Sequence, residues 1–298
     1  MDAVLIAGPT ASGKSAVALE LADALGGIII NADSMQVYAE LSVLTARPSA
    51  ADEARVAHRL YGHVPVTERY SAGRYQEDAA RALAEAKADG RIAIFTGGTG
   101  LYFEVLTKGL LPIPPVPPEI RERVRQSFDA VGREAFFAEL IGRDPGMASK
   151  LRVSDTQRLL RAADVLEATG RPLSHWQQMS GQPVLAGCRV VRLVMAPPRD
   201  TLFERVDRRF EAMIRAGALD EAGRLVGLDP ALPAARALGL GPLQRHLAGE
   251  IDLETAVAEA QSATRRYLKR QMTWIRHRMS DWKVIENLGL SNIITQFG

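Results

Sequence analysis

The stretch that decides the fold is "AVLIAGPTASGKSAVALELADALGG", residues 3–27. Its first five residues form a short apolar run closed by Gly8 and Pro9, which reads as a buried strand. Residues 15–25 then repeat apolar side chains at helical spacing, with Val17, Leu21 and Leu25 on one stripe and Gly26 placed as a C-cap. Between the two lies Gly8-Pro9-Thr10-Ala11-Ser12-Gly13-Lys14-Ser15, which fits the P-loop pattern G-x-x-x-x-G-K-[ST]. In that strand–loop–helix setting the glycines let backbone N–H groups approach phosphate oxygens, and the helix N-terminus adds partial positive charge. Lys14 is a point charge for a terminal phosphate, and Ser15 offers Mg²⁺ a hydroxyl. The motif specifies an oligophosphate and leaves open whether a nucleotide carries it.

Further strands are predicted at "IIIN" (28–31), "RIAIF" (91–95) and "RVVRLVMA" (189–196), with helical stretches between them. Strands alternating with helices imply an α/β fold: a parallel sheet flanked by helices, right-handed crossovers, and ligands at the carboxyl ends of the strands. The pattern breaks at "LLPIPPVPPEI" (110–120), whose five prolines make a stiff, extended linker. Beyond the linker the pattern is helical, in "EIRERVRQSFDAVG", "REAFFAELIGRD" and "SDTQRLLRAADVLEATG". The reading sets residues 112–187 as an inserted all-helical lobe, and residues 1–111 with 188–298 as the P-loop core.

A chain of 298 residues, 47% hydrophobic and 24% charged, matches a globular protein with a sizeable core. No run of eighteen apolar residues suggests a membrane span, and no basic segment precedes the first apolar run as a secretory signal would need. A single cysteine, Cys188, excludes an intrachain disulfide and a cysteine-built zinc site; it is expected to be a small buried residue. A cytoplasmic monomer is expected. The net charge of +2 means that any nucleic-acid binding must come from local patches.

A hydrolysing P-loop enzyme normally ends a second apolar strand in Asp. Here "RIAIF" ends in Thr96-Gly97-Gly98-Thr99, and the carboxylate comes after the second strand instead, as Asp33 in "NADSMQVY". Asp33 could hold Mg²⁺, take a proton from a substrate or cap a helix. Arg121, Arg123 and Arg125, and the pair Arg158 and Arg161, read first as solvated charge. "ATRRYLKRQMTWIRHRM" (263–279) carries Arg265, Arg266, Lys269, Arg270, Arg276 and Arg278 without an acid. It reads as a phosphate-backbone stripe, with a calmodulin-like or membrane-surface helix as alternatives. Tyr267, Trp274 and Ile275 are expected to pack on the core. Periodicity does not choose between Arg208 and Arg209, and His58 and His63 lack metal-ligand spacing.

"GPTASGKS", "NADSMQVY", "LTARP" (44–48), "RYSAGRYQEDA" (69–79), "GGTGLYF" (97–103), "DTQRLLRA" (155–162) and "KRQMTWIR" (269–276) occur in order. The set resembles the bacterial tRNA dimethylallyltransferases, also called tRNA isopentenyltransferases, over nearly the whole chain. The resemblance implies transfer of a dimethylallyl group from dimethylallyl diphosphate to the N6 amine of the adenosine just 3′ of the anticodon, in tRNAs reading U-initial codons. The P-loop would then hold diphosphate, with Lys14, Ser15, Arg209 and Mg²⁺ around it. Asp33 would take the N6 proton and Thr99 would contact the acceptor adenosine. Asp33, Ser34, Met35, Gln36, Thr99, Arg121, Gln157, Arg158, Leu159, Leu160 and Arg161 match positions that touch tRNA in the family. At "RALGLGPLQRH" the chain departs from a common Gly-Tyr-Arg or Gly-Tyr-Lys step: Leu240 and Gly241 stand there, while Arg236 and Gly239 remain. Competing readings are an adenylate isopentenyltransferase, a small-molecule kinase and a non-catalytic RNA-binding module.

Overall fold

The structure is a computed structural model and describes residues 1–285. In chain order its elements are β1 (Ala3–Ala7), α1 (Lys14–Leu25), β2 (Ile28–Asn31), α2 (Ala50–Arg55), β3 (His58–Arg59), α3 (Ala72–Ala88), β4 (Ala93–Gly97), α4 (Gly100–Thr107), α5 (Pro118–Val131), α6 (Arg133–Arg143), α7 (Thr156–Thr169), α8 (Leu173–Trp176), β5 (Val190–Met195), α9 (Arg199–Arg215), α10 (Ala218–Arg224), α11 (Leu240–Leu247), α12 (Leu253–Arg278) and β6 (Lys283–Ile285). The α/β class with a helix-flanked parallel sheet is the architecture observed. Residues 286–298 of the expected core segment lie outside the described ones.

The strands form one sheet in the order β3-β2-β4-β1-β5-β6, and every pairing is parallel. Strand β1 is flanked on both edges and covered on both faces, so all five of its residues are buried and all are apolar. Helix α1 lays Val17, Ala18 and Leu21 on Val4, Ile6, Ile29, Ile94 and Leu193 of four strands. Each fully buried aliphatic side chain of this kind contributes about 1.5–3 kcal/mol of transfer free energy. The register aligns Ala7 with Gly97 and Asn31 with Thr96, so the loops leaving β1, β4 and β2 emerge side by side.

Gly97 has a local reason to be glycine: a Cβ there would run into the backbone carbonyl of Ala32 on the neighbouring strand exit. Gly13 and Gly26 bracket α1 in left-handed conformations, with φ of 91° and 60°. Strands β3 and β6 were not anticipated. Runs of two and three residues are too short to show a period, and only pairing to β2 and β5 makes them strands. Cys188 is not buried as expected. It sits in the turn before β5, partly exposed, with its thiol 3.1 Å from Lys87 Nζ.

Compact units divide the chain at Lys108–Pro183, against the 112–187 set from sequence. That second unit is all helix among its regular elements, and α5, α6 and α7 enclose Val124, Phe136, Leu140, Leu159, Ala162 and Leu166. The first unit carries the sheet and α9–α12.

One buried charge organises the loop after β2. Glu221 of α10 is fully buried, and its carboxylate accepts hydrogen bonds from the amides of Ser42, Val43 and Leu44 at 2.8–2.9 Å and from the Ser42 hydroxyl at 3.0 Å. A carboxylate in a nest of amides satisfies donors that no strand or helix pairs. Glu221→Ala would strand these donors and is expected to lower unfolding free energy by about 3 kcal/mol. Glu221→Gln, which keeps one acceptor oxygen, should cost less. Urea midpoints at unchanged slope measure both, and a midpoint for Glu221→Ala equal to wild type would overturn the assignment.

Candidate active site

The P-loop leaves β1 and turns into α1. Lys14 Nζ folds back to the Pro9 carbonyl at 3.2 Å. Burial draws its pKa down to about 8; the nearby Asp33 opposes that shift, and Arg209 adds to it. Ser12 is 2% exposed and its hydroxyl has no hydrogen-bond partner. Ala11 holds a left-handed φ of 62°, an unfavourable state for a residue with a Cβ that turns the loop inward. The Ser15 residue stands exposed in the first turn of α1.

Asp33 stands where β2 ends. Its own N–H donates to Asn31 Oδ1 at 2.8 Å, while Asn31 Nδ2 donates to the Asp33 and Leu60 carbonyls. Oδ1 accepts from the Met35 amide at 3.0 Å, an Asx-type turn; no helix begins here, so the helix-cap alternative is not met. One carboxylate oxygen thus fixes the turn, and Oδ2 faces Gly98 across the strand ends. Thr99 Oγ1 accepts from the Ser34 amide at 2.9 Å, and the Thr99 amide donates to the Ala32 carbonyl at 3.2 Å. The turns that carry Asp33 and Thr99, 66 residues apart in sequence, are tied together by these two bonds through Ser34 and Ala32.

Of the neighbouring arginines of α9, Arg209 is the one that faces the P-loop. Arg209 donates to Thr10 Oγ1 at 3.4 Å and to the Thr45 carbonyl at 3.3 Å, whereas Arg208 is exposed and reaches Glu204 on its own helix. Burial lowers the Arg209 pKa, and Asp33 works against that effect. Gln36 donates its amide NH₂ to the Thr45 and Ala46 carbonyls at 3.0 Å each, so this predicted contact residue is committed to holding the loop that also receives Arg209.

Two cavities meet at α12. The larger, about 300 Å³, is lined by Thr10, Asp33, Thr45, Arg209, Phe210 and Arg236 among others. The smaller, about 160 Å³, runs along Gly8 and Gly97–Thr99 to Phe103, Trp274 and Met279. Tyr267, Arg270 and Gln271 line both. This corrects the expectation that Tyr267, Trp274 and Ile275 pack on the core. The stripe faces glycines that carry no side chain to fill the space, so the aromatic rings remain partly exposed in the smaller cavity. Burial, the largest effect, raises the Tyr267 phenol well above its ordinary pKa, and side-chain hydrogen bonds with Thr99 and Gln271 oppose this. Gln271 and Glu221 received no role from the sequence because each acts through partners far away in the chain. At the variant segment, Leu240 is buried at the start of α11 while Gly241 is exposed. Gly239 caps that helix at φ 89° against the Phe210 ring.

In the helical unit, Arg121 of α5 and Arg161 of α7 share the surroundings of Asp164. Arg121, Gln157, Arg158 and Arg161 are exposed, and Arg158 pairs with Asp155 at 3.2 Å. Leu160 is half-buried. Leu159 is a correction: it is fully buried in the lobe's own core, because α7 turns that position inward with Ala162 and Leu166. Its side chain is inaccessible to a ligand.

Mg²⁺ bound with a diphosphate needs only one or two protein oxygens, since phosphate and water fill the rest of its shell. The exposed Ser15 residue at the P-loop suits that need. Among the described residues no three His, Cys, Asp or Glu side chains cluster as a protein-built cage. No described helix is long and apolar enough to cross a membrane.

Comparison with known proteins identifies the family. The family model described as IPP transferase matches residues 36–278. A tRNA dimethylallyltransferase of Bradyrhizobium sp. (strain ORS 278) is 54% identical over 94% of this chain and 92% of its own length. The crystal structure of the full-length tRNA isopentenylpyrophosphate transferase from Bacillus halodurans superposes with a TM-score of 0.68 at 28% identity, covering 96% of this chain and 89% of that one. A eukaryotic dimethylallyltransferase solved acting on tRNA shares the fold, with a TM-score of 0.84 at 24% identity over 98% of this chain and 75% of its own. With a matching model over most of its length and relatives identical at more than half of the aligned positions, the chain belongs to the IPP transferase family.

Proposed function

We propose that this protein transfers the dimethylallyl group of dimethylallyl diphosphate to the N6 amine of the adenosine just 3′ of the anticodon, in tRNAs reading U-initial codons. The observation that carries the reading is the convergence of the P-loop, Arg209 and Asp33 at the carboxyl ends of three adjacent strands. Cations held out of water face one carboxylate there. Such a site suits an anionic leaving group on one side and a proton acceptor on the other.

In the reaction the bond from the allylic carbon to the diphosphate oxygen breaks, and its electron pair leaves with the diphosphate. The N6 nitrogen forms the new bond to that carbon, and its proton passes to the Asp33 carboxylate. Lys14, Arg209 and the loop amides meet the charge growing on the leaving group, and they are most effective where water is excluded. The Ser15 hydroxyl would hold Mg²⁺, which would supply positive charge to offset that of the diphosphate. Thr99, fixed to the Asp33 turn through Ser34, positions the acceptor base. An N6 amine inside a stacked loop is out of reach, so the base must be flipped into the cavity. Arg121, Gln157, Arg158 and Arg161 are the exposed groups of the helical unit suited to tRNA contact.

Radiolabelled dimethylallyl diphosphate with Mg²⁺, offered to unmodified tRNA and to AMP in parallel, tests the reading. Label is expected in tRNA alone; label in AMP would make this a free-nucleotide enzyme. Asp33→Ala is expected to lower transfer by about 10²–10⁴-fold while tRNA binding persists, and near-normal transfer would remove the proton-acceptor role.

The lowered Lys14 pKa gives a signed pH dependence. The empty protein loses the Lys14 charge as pH rises through about 8, so kcat/KM for the diphosphate donor should bend downward there. The unfolded chain holds that proton up to the ordinary lysine value of 10.5, so keeping Lys14 charged in the empty fold costs stability below about 8, a cost that fades as pH rises. Lys14→Met should therefore raise the melting temperature of the ligand-free protein at neutral pH and abolish transfer. A lowered melting temperature would contradict the burial argument.

A further inference from the structure

We infer that Gln271 is a positioning residue for the transfer, its one side-chain amide holding the donor loop and the acceptor loop at a fixed separation. The inference rests on the proposed function and adds a residue that the motifs did not single out. Gln271 lies on α12, is 6% exposed, and stands in the wall common to both cavities. Its Oε1 accepts from the Thr10 amide of the P-loop at 2.9 Å. Its Nε2 donates to the Gly98 carbonyl at 2.9 Å, one residue before Thr99. The ladder between β1 and β4 ends at Ala7 and Gly97; beyond that pair, Gln271 spans the diverging loops.

The chemistry of the link is specific. A bridge from an N–H to a carbonyl needs one acceptor and one donor on the same short group, which a neutral primary amide supplies. Lysine or arginine could only donate. An ionised carboxylate could only accept, and it would place negative charge beside a diphosphate. The space is equally specific, because a Cβ on Gly98 would collide with Gln271 Nε2. Thr10 is gripped at both ends, its amide by Gln271 and its hydroxyl by Arg209. Any slack in the amide bridge would move the phosphate loop relative to Thr99 and Asp33. Reactant placement governs the rate of the chemical step more than the affinity for either reactant alone.

The test compares wild type, Gln271→Met, Gln271→Glu, Gly98→Ala and the Gln271→Met/Gly98→Ala pair in the labelled tRNA assay. Gln271→Met keeps the length and loses both hydrogen bonds to the two loops. It is expected to lower kcat by about 10–100-fold, with the KM values for donor and tRNA changed by less than about threefold. Gln271→Glu regains the donor–acceptor pair only when protonated, so its kcat relative to wild type should climb as pH is lowered. A role in stability alone would not produce that signature, and the Gln271→Glu profile serves if Gln271→Met folds poorly. Gly98→Ala should mimic Gln271→Met, and the double variant should be little worse than either single one, since both remove the same bridge. An unchanged kcat in Gln271→Met, a Gln271→Glu profile parallel to wild type, or full additivity of the two lesions would each overturn the inference. Absence of transfer by wild type itself would instead overturn the function on which it rests.

Discussion

Lys14 and Arg209 are cations held largely out of water beside a single carboxylate, Asp33, and much of the surrounding structure exists to keep them there. Burial works against each positive charge, while Asp33 offsets part of that penalty. An anionic ligand would relieve the remainder. Such a site is organised before the ligand arrives, and the fold carries its electrostatic cost in advance. Arg209 reaches it because α9 packs Leu202 and Val206 against Leu268 of α12. The Thr45 carbonyl that receives the guanidinium belongs to a loop tied down by Glu221 and Gln36.

Glycine does a second job here beyond permitting turns. At Gly97, Gly98 and Gly100 the missing Cβ leaves room for, respectively, the Ala32 backbone, the Gln271 amide and the Trp274 ring. The strand end that would hold an acidic residue in a hydrolysing enzyme is therefore a surface for close packing, and the carboxylate that faces it, Asp33, comes from the neighbouring strand. The parallel order β2-β4-β1 makes that substitution possible by setting the Asp33 exit one strand away from the P-loop, with the glycine strand between them.

The helical unit rests on its own core and leaves its arginines on the outside. Helix α7 divides by its period: Leu159, Ala162 and Leu166 turn inward, and Arg158 and Arg161 turn outward. A run of adjacent residues in a helix cannot all face one side, so Leu159 lies in the lobe's core while its neighbours Arg158 and Arg161 stay at the surface.

The sequence by itself determined the parts whose interactions are local. The P-loop, the helix behind it, four of the strands, the proline break and the helical lobe all arise from runs, caps and periods within a few residues. The ordered motifs brought Asp33 and Thr99 forward as candidates, and the family resemblance added Arg209. Tertiary structure decided what depends on groups distant in the chain. It set the strand order, separated Arg209 from Arg208, and turned Tyr267 and Trp274 toward cavities instead of the core. It joined Glu221 to Ser42 and Gln271 to Thr10, pairs separated by 179 and 261 residues. A side chain that acts mainly on backbone groups so far away leaves no period or spacing to read. Its role appears only once folding has brought those backbone groups within hydrogen-bonding distance.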